Sequence, residues 1–536
     1  MAVSSVIPET LAAVIATPAD AQAWADNNGD WLKKIIDAHR TWLQEEGIEK
    51  YQAAYDGHLE SVGARDKSRG DSVNNKLMPN LAAIIIDTPV DYLAGKPIVW
   101  AFEVADADEK EAKALAPVLA EFRKEFLKLV RGEEAQRVFA EQLRGGGIGG
   151  YHVVVAWVDE KGKIDYDEFP VNEVIPVYDT RGRLQLLIRY YTVEVSEGDR
   201  NVERTRVEVY DERYLTYYIE NESGGYELDG EETETGNPVE HRAGRIPVSI
   251  YVNGTPARYE KRTKKAGASD LANGVYTLLE NLAHTVSDKA NTVERLLDQY
   301  LKLRGVDVDE KEVQAMHKAR AIALKNKDSD ADFIAPKQED TAVENHINRL
   351  VDLIHDTTGT PKLNDLSGAT ATEIKMKFAP LDIKAGKKEL YFSTAIKQLV
   401  TVLTDLLNAK RLTEKGLDAE TVYAILTGQQ APPGDFVLWE ADWVAWTINR
   451  NLPQNFKEIA DIVKLLVGIV PDSYLLELLW FIDDPEAALT ELKKQREEED
   501  KRTEKQGLNA LGLGGEFSKT KEDEEEPGTE DENEEE

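Results

Sequence analysis

The chain contains no cysteine. Disulfides, thiolate metal sites and a cysteine nucleophile are therefore excluded together, and a reducing cytoplasm suits it. Histidine is scattered: His346 and His355 lie nine residues apart on one expected helix, and neither stands with acids at metal-ligand spacing. No P-loop, no G-x-S-x-G and no acidic repeat of EF-hand spacing occurs. Carboxylates are so abundant that a chance pair carries no information, and any single Asp or Glu reads as solvated surface. The chain reads as no enzyme, with no catalytic, metal or cofactor site and no cofactor.

Base is scarce against acid, 65 Lys and Arg to 100 Asp and Glu, a net charge of −35. Salt-sensitive grip on phosphate needs clustered Lys and Arg. The densest cluster is Arg258, Lys261, Arg262, Lys264 and Lys265. It reads as a solvated linker face or as a patch touching a polyanion. Residues 522–536 hold eleven acids and no base, which reads as a disordered, solubilising tail. A secretory signal is not expected, because Met1–Ser5 lacks a basic region and Pro8 and Pro18 break the apolar run. No membrane span is expected either. The most apolar late window, Ile462–Ile482, contains Lys464, Pro471, Asp472 and Glu477, and reads as two short packed helices.

Gly145 to Gly150 spells G-x-G-x-x-G. A dinucleotide site needs a strand before that motif and a helix after it. Here a helical run, 108–143, precedes and an apolar β run, Tyr151–Val158, follows, so a hinge-like turn is expected.

At 536 residues, two or more domains are expected. Residues 1–66 read as helical, with Trp31, Ile35, Ile36, His39 and Trp42 at helical spacing and Gly47 ending the run. The apolar stretch after Asn80 reads as a buried helix capped by Gly95 and stopped by Pro97. Val99–Val104 reads as a strand. From 151 to 252 a meander is expected, with strands at Tyr151–Val158, Ile164–Phe169, Leu184–Val195, Val207–Asp211, Leu215–Glu220 and Ser249–Val252, packed on the N-terminal helices.

Ala268–Arg411 organises the chain. Leu271, Val275, Leu278, Leu279, Leu282, Val286, Ala290, Val293 and Leu296 keep a 3.6-residue period, with Ser269 and Asp270 as cap candidates. A second helix carries Val343, Ile347, Leu350, Val351 and Ile354 and closes at Gly359 before Pro361. A third opens on Thr370-Ala371-Thr372-Glu373 and carries Ile374, Phe378, Leu381, Ala385, Phe392, Ile396, Leu399, Leu403 and Leu406. Pro380 inside it invites a kink. Between the first two helices, β-like runs are expected at Gln299–Val306 and Ala321–Lys325, with a small helix near Lys311–Ala319. Downstream, Leu412–Gln429 reads as helical, Phe436–Trp439 and Val444–Ile448 as strands, 455–499 as a compact helical end, and the chain beyond Gln506 as disorder.

Four stretches, in order, resemble the portal proteins of tailed bacteriophages of the SPP1-like siphophage type. They are Asn74-Asn75-Lys76 through Tyr92-Leu93-Ala94-Gly95-Lys96-Pro97-Ile98; Pro170–Asp179; Ser269-Asp270-Leu271 with Ser287–Glu294 and Leu301–Gly305; and Ser367-Gly368-Ala369-Thr370 with Pro380-Leu381. The likeness covers roughly 40–500; the acidic tail from Gln506 and the long meander at 192–245 go beyond it.

The resemblance implies an α+β, mostly helical portal fold: long stem helices, a β-rich wing, a small α/β clip and a helical crown. It places the wing at 1–266, stem helix one at 267–298, the clip at 299–340, stem helix two at 341–357 and a tunnel loop at 358–369. The long wing helix and returning strands take 370–452, the crown 453–505 and the disordered tail 506–536. The DNA-facing loop would be Thr358, Gly359, Thr360, Pro361, Lys362, Leu363, Asn364, Asp365, Leu366, Ser367, Gly368 and Ala369. Lys375 and Lys377 are either phosphate contacts or a solvated helical face. Lys302, Arg304, Lys318, Arg320, Lys325 and Lys327 would serve clip docking.

The implied partners are eleven further copies in a dodecameric ring, double-stranded DNA held weakly and without sequence preference, a large terminase motor, a head–tail adaptor, and scaffolding and major capsid proteins, with no membrane. The implied place is the virion's portal vertex, and the host cytoplasm during assembly. The implied work is genome packaging, DNA retention, head–tail joining and ejection. The alternative is another oligomeric virion scaffold or head–tail adaptor without a DNA channel.

Overall fold

The computed structural model describes residues 18–496 except 68–71, 105–108, 160, 180–182, 198–199, 230–235, 255–266, 298–299, 305–308, 310, 312, 315–329, 335–339, 363–370, 435, 452–462, 472–474 and 477–487. The chain divides into two compact units, Met1–Asn451 and Leu452–Glu536.

In the first unit, α1 (Pro18–Glu46) lays Trp31, Leu32, Ile35 and Ile36 onto an antiparallel sheet. That sheet comprises β4 (Val174–Tyr178), β5 (Leu184–Glu197), β6 (Arg200–Tyr210), β7 (Tyr214–Glu220) and β8 (Tyr226–Leu228) in chain order, with β9 (Val239–Glu240) pairing β7. The expected packing of meander on N-terminal helix is thus observed. The strand β4 falls in Pro170–Asp179 and is additional to the six read from alternation.

A second sheet runs β10 (Val248–Val252), β2 (Tyr151–Val158), β3 (Ile164–Phe169). Residues 151–156 of β2 are all buried, so both faces of the strand are covered. The helices α2 (Ile48–Tyr55), α3 (Glu60–Gly63) and α4 (Leu81–Ala94) follow α1. Asn80 caps α4, its Oδ1 accepting from Ala83 N at 3.1 Å. β1 (Val99–Phe102) pairs with β13 (Val444–Thr447), and α5 (Glu109–Val130) leads to α6 (Glu133–Gly149).

Beyond the sheets come α7 (Val275–Leu297), α8 (Asp340–Thr358), α9 (Ala371–Glu414) and α10 (Ala419–Leu426). The 44 residues of α9 are about 66 Å of helix. The helix runs uninterrupted through Pro380. Of its expected apolar face, Phe378, Leu381, Ala385, Phe392, Ile396, Leu399, Leu403 and Leu406 are buried.

Three expectations need correction, and a further one is met in part. Gly145–Gly150 is not a hinge: α6 continues to Gly149 and ends at Gly150, whose φ is +88°. The glycines are there for clearance. A Cβ on Gly145, Gly146 or Gly149 would fall within 2.4 Å of His152, Tyr251 or Val171. Secondly, α7 starts at Val275 rather than near Ala268, because Asn273 (φ 57°) and Gly274 (φ 91°) are both left-handed and break any helix before them. The β-like run expected at Gln299–Val306 is observed as β11 (Tyr300–Arg304), which pairs antiparallel with the additional strand β12 (Asp330–Ile334), whereas Ala321–Lys325 lies outside the described residues. Finally, Phe436–Trp439 is not a strand. Side chains of α9 replace the ladder: Asn408 Oδ1 accepts from Trp439 N at 3.0 Å, and its Nδ2 donates to Trp439 O at 2.9 Å.

In the second unit, short helical stretches occur at 463–466, 475–476 and 488–496. Arg258–Lys265 and the acidic tail lie outside the described residues.

Candidate functional site

The two helices α7 and α8 pack as a pair. Leu279, Leu282 and Ala283 meet Leu350 and Ile354, and the cluster extends to Ile85 and Ile86 of α4. An ion pair between Lys289 and Glu344 joins the helices farther along. One face of α7 is polar for a reason. Ser287 and Asn291 are buried, and both serve the backbone of residues 72–77, which is strapped along the helix together with residues 65–67. Leu77 N donates to Ser287 Oγ at 2.9 Å and Asn75 N donates to Asn291 Oδ1 at 2.6 Å. Asn75 Nδ2 donates to Glu294 at 2.6 Å, and an Arg295 guanidinium nitrogen donates to the Lys67 carbonyl at 2.9 Å. Asp288 takes Arg65 and, at 2.7 Å, Lys67. Partial burial resists its ionisation, yet those two cations hold its carboxyl below the ordinary range.

The turn before α7 carries a buried ionic joint. Asp270 and Lys388 meet at 2.7 Å, and Lys384 stands 3.5 Å from the other carboxylate oxygen. Lys388 Nζ also donates to Asn253 Oδ1 at 2.6 Å, and Tyr251 OH donates to the same oxygen at 3.0 Å. Asp270 N donates to the Gly147 carbonyl at 2.8 Å. Thus α6, β10, the start of α7 and the middle of α9 meet at one point. Burial alone would raise the Asp270 pKa, but Lys388 and Lys384 outweigh it and hold the carboxyl below its usual range.

The segment after α8 begins pinned. Thr358 and Thr360 are 5% and 4% exposed. Thr358 Oγ1 donates to Ile354 O at 2.8 Å and lies 3.0 Å from Thr360 Oγ1, and His355 Nδ1–H donates to Thr360 O at 2.9 Å. Gly359 is left-handed at φ 68°, and a Cβ there would sit 3.3 Å from the Pro380 carbonyl. These residues anchor the segment instead of presenting a surface. Pro361 and Lys362 follow, with Lys362 paired to Asp352; Leu363, Asn364, Asp365, Leu366, Ser367, Gly368 and Ala369 lie outside the described residues.

Lys375, Lys377 and Pro380 are exposed on the first turns of α9. Arg304 is exposed at the end of β11. Lys302 stands on that strand, while Lys318, Arg320, Lys325 and Lys327 lie outside the described residues. Among the described residues no cluster of His, Asp and Glu fit for a metal occurs, and no helix is long and apolar enough to cross a membrane.

Sequence reading named Asp270 as a cap; it is instead the centre of the joint. The sequence reading assigns Lys388 no role, and it marks Ser287–Glu294 only as a stretch of family resemblance, without the contacts these residues make to the strap. A signal existed for Lys388, which falls on the apolar stripe of α9 between Ala385 and Phe392. For the strap, the signal was the spacing of Ser287, Asp288, Asn291, Glu294 and Arg295 along one helical face.

Residues 32–502 match the family model described as phage portal protein, SPP1 Gp6-like. The chain is 24% identical over 250 residues to the portal protein of Bacillus phage SPP1, a stretch covering 43% of this chain and 44% of that protein. The matched part is thus under half the length of that relative. Among solved structures, a chain from the neck of an empty gene transfer agent (GTA) particle, computed with C6 symmetry, superposes with a TM-score of 0.36 at 12% identity, covering 78% of this chain and 94% of the other. A chain from the virion of a native gene transfer agent particle gives 0.33 at 13% identity, covering 74% and 89%.

Proposed function

Because the chain belongs to the SPP1 Gp6-like family of phage portal proteins, we propose that it is a structural ring protein at one capsid vertex, through which DNA enters during packaging, is retained, and leaves. The observation that carries this reading is the extent of the family match. Its span, 32–502, takes in the helix pair, the joint, the anchored segment and the long helix together. Catalysis is assigned to a separate motor protein, in keeping with the missing nucleotide motif.

In this reading α7 and α8 form the stem wall, and the 23 residues of α7 supply about 35 Å of it. The β11–β12 hairpin belongs to the clip, where terminase and later the head–tail adaptor dock through Lys302, Arg304 and the cations following them. The wing comprises 1–266 with 370–452, the crown 453–505, and scaffolding and major capsid proteins contact the outer parts. The anchored segment is the tunnel loop. Buried Thr358 and Thr360 are its fixed root, so its DNA-facing part starts at Pro361. Pro380 has no N–H and leaves the Met376 carbonyl without its helical donor, a soft point beside Gly359 that would let loop and helix shift together. A ring of twelve copies, each with net charge −35, repels phosphate and lowers friction on sliding duplex.

Electron microscopy of the purified protein tests the reading. Rings with a central hole that admits duplex DNA are expected; filaments, shells or monomers would overturn it. Deleting residues 361–369 should impair packaging or DNA retention while rings still form, and unchanged packaging would remove the loop assignment.

A further inference from the structure

The long helix α9 carries a second apolar stripe that the fold does not use. Met376, Ile383 and Leu390 are 72%, 66% and 69% exposed. Every other large hydrophobic exposed among the described residues of the first unit stays below 50%. The three are seven residues apart, the repeat that keeps one seam facing a partner helix. At the positions that complete such a seam, three residues after each, stand Ala379, Gly386 and Ser393, all small.

Gly386 is the telling residue. Glycine inside a helix weakens it, so it persists where a backbone must be approached closely. Among the described residues nothing needs that approach. A Cβ at Gly386 would meet only an Arg450 nitrogen, at 4.0 Å. By contrast, the glycines at the end of α6 are each filled by a neighbour of the same chain. The vacancy along α9 faces outward.

We infer that this stripe is the seat for a second copy of the chain, which lays a helix along α9 and crosses closest at Gly386. Three observations select that occupant. The seven-residue repeat asks for a helix. Lys375 and Lys387 flank the seam and are exposed, while the acids beside it, Asp382 and Glu389, are paired with Arg450 of the same chain; on a chain whose net charge is −35, the rest of the same protein's surface complements those lysines. The stripe also runs on into a cavity of about 550 Å³ between α9 and β10, lined by Tyr391, Thr394, Lys397, Gln398 and Thr401 on the helix, by Ile246 just before the strand and by Val248 and Ile250 on it. Stripe and cavity together follow α9 for 26 residues, from Met376 to Thr401, about 38 Å. Duplex DNA fits it poorly, since phosphate contact calls for donors where the seam offers Met, Ile and Leu. The contact is heterologous: α9 of one copy meets a different face of the next, the arrangement that closes into a ring. This inference rests on the ring reading above and names its contact surface.

The test uses the full chain. Gly386→Leu replaces a weak helix former with a strong one on an exposed face, so the thermal midpoint of the dissociated chain should hold or rise. The same side chain fills the crossing point, so the protein concentration at half ring assembly should rise by about tenfold or more. The double variant Ile383→Glu/Leu390→Glu should shift assembly likewise, with its melt unchanged within a few degrees. A photo-crosslinking residue at 383 should yield an oligomer ladder, and peptide mapping should place the crosslink on a helix of the neighbouring copy. If the wild-type chain forms no rings, the ring reading falls, and this inference with it. If it forms rings and the variants assemble at the same concentration, or the 383 crosslink stays within one chain or goes to added duplex DNA, this inference alone is overturned.

Discussion

His39 shows how one buried side chain ties the fold to pH. Its Nδ1 lies 2.9 Å from Tyr190 OH, its Nε2 lies 3.4 Å from Tyr151 OH, and its ring stacks on Trp42. Burial first, and Arg40 second, push its pKa down to about 4. His241 is pushed to about 4 by burial as well, with its Nε2–H donating to the Asp211 carbonyl. Both are neutral in the fold, while the unfolded chain takes up protons from about pH 6.5 downward. Their contribution is thus complete above about pH 6.5 and is lost as pH falls toward about 4. Thermal midpoints should decline across that window, and His39→Gln/His241→Gln should flatten the decline. The joint acts lower on the scale. With its carboxyl held below the usual range, Asp270 contributes above about pH 4 and loses that contribution as pH falls through its depressed pKa. Asp270→Ala leaves the Lys388 ammonium buried with Asn253 as its remaining close partner and should cost about 3–5 kcal/mol, read from the urea midpoint.

At the scale of elements, the glycines of α6 and the start of α7 mark where pattern reading reached its end. Periodicity found α1, α4, α8 and α9 because each has an apolar stripe on one side. It could not tell that Gly145–Gly149 is helical, because glycine's low helix propensity hides a packing requirement supplied by His152, Tyr251 and Val171. Gly145→Ala and Gly149→Ala should each destabilise by about 1–3 kcal/mol, although alanine favours helix by about 1 kcal/mol elsewhere; chemical denaturation decides the sign. Likewise Phe436–Trp439 has the composition of a strand, and only the contact of Trp439 with Asn408, 31 positions upstream, reveals why it forms no ladder. The end of the second long helix was legible where local sequence shapes it, at Gly359 and Pro361. The candidate site was illegible where distant residues meet, at Asp270–Lys388 and along the strap, since those pairings depend on the whole topology.

At the scale of the whole molecule, charge and assembly outweigh any single contact. A ring of chains each at −35 should hold duplex DNA weakly, and what affinity it has should fade between about 50 and 200 mM salt. Fluorescence anisotropy with a labelled duplex measures it, and tight binding that survives high salt would contradict the conduit reading. The uncommitted apolar track on α9 was visible in the sequence only as residues outside the core face.

The strap along α7 has a further consequence, for synthesis. Asn75 and its partner Asn291 are 216 positions apart. At about 5–20 residues per second, the ribosome delivers the second roughly ten to forty seconds after the first. Throughout that interval the apolar side chains of α2 and α4 that belong under α7 and α8 have no cover. The nascent protein is therefore most exposed to aggregation midway through translation, and a chain released before residue 300 should fall to chaperones or precipitate where the finished one does not.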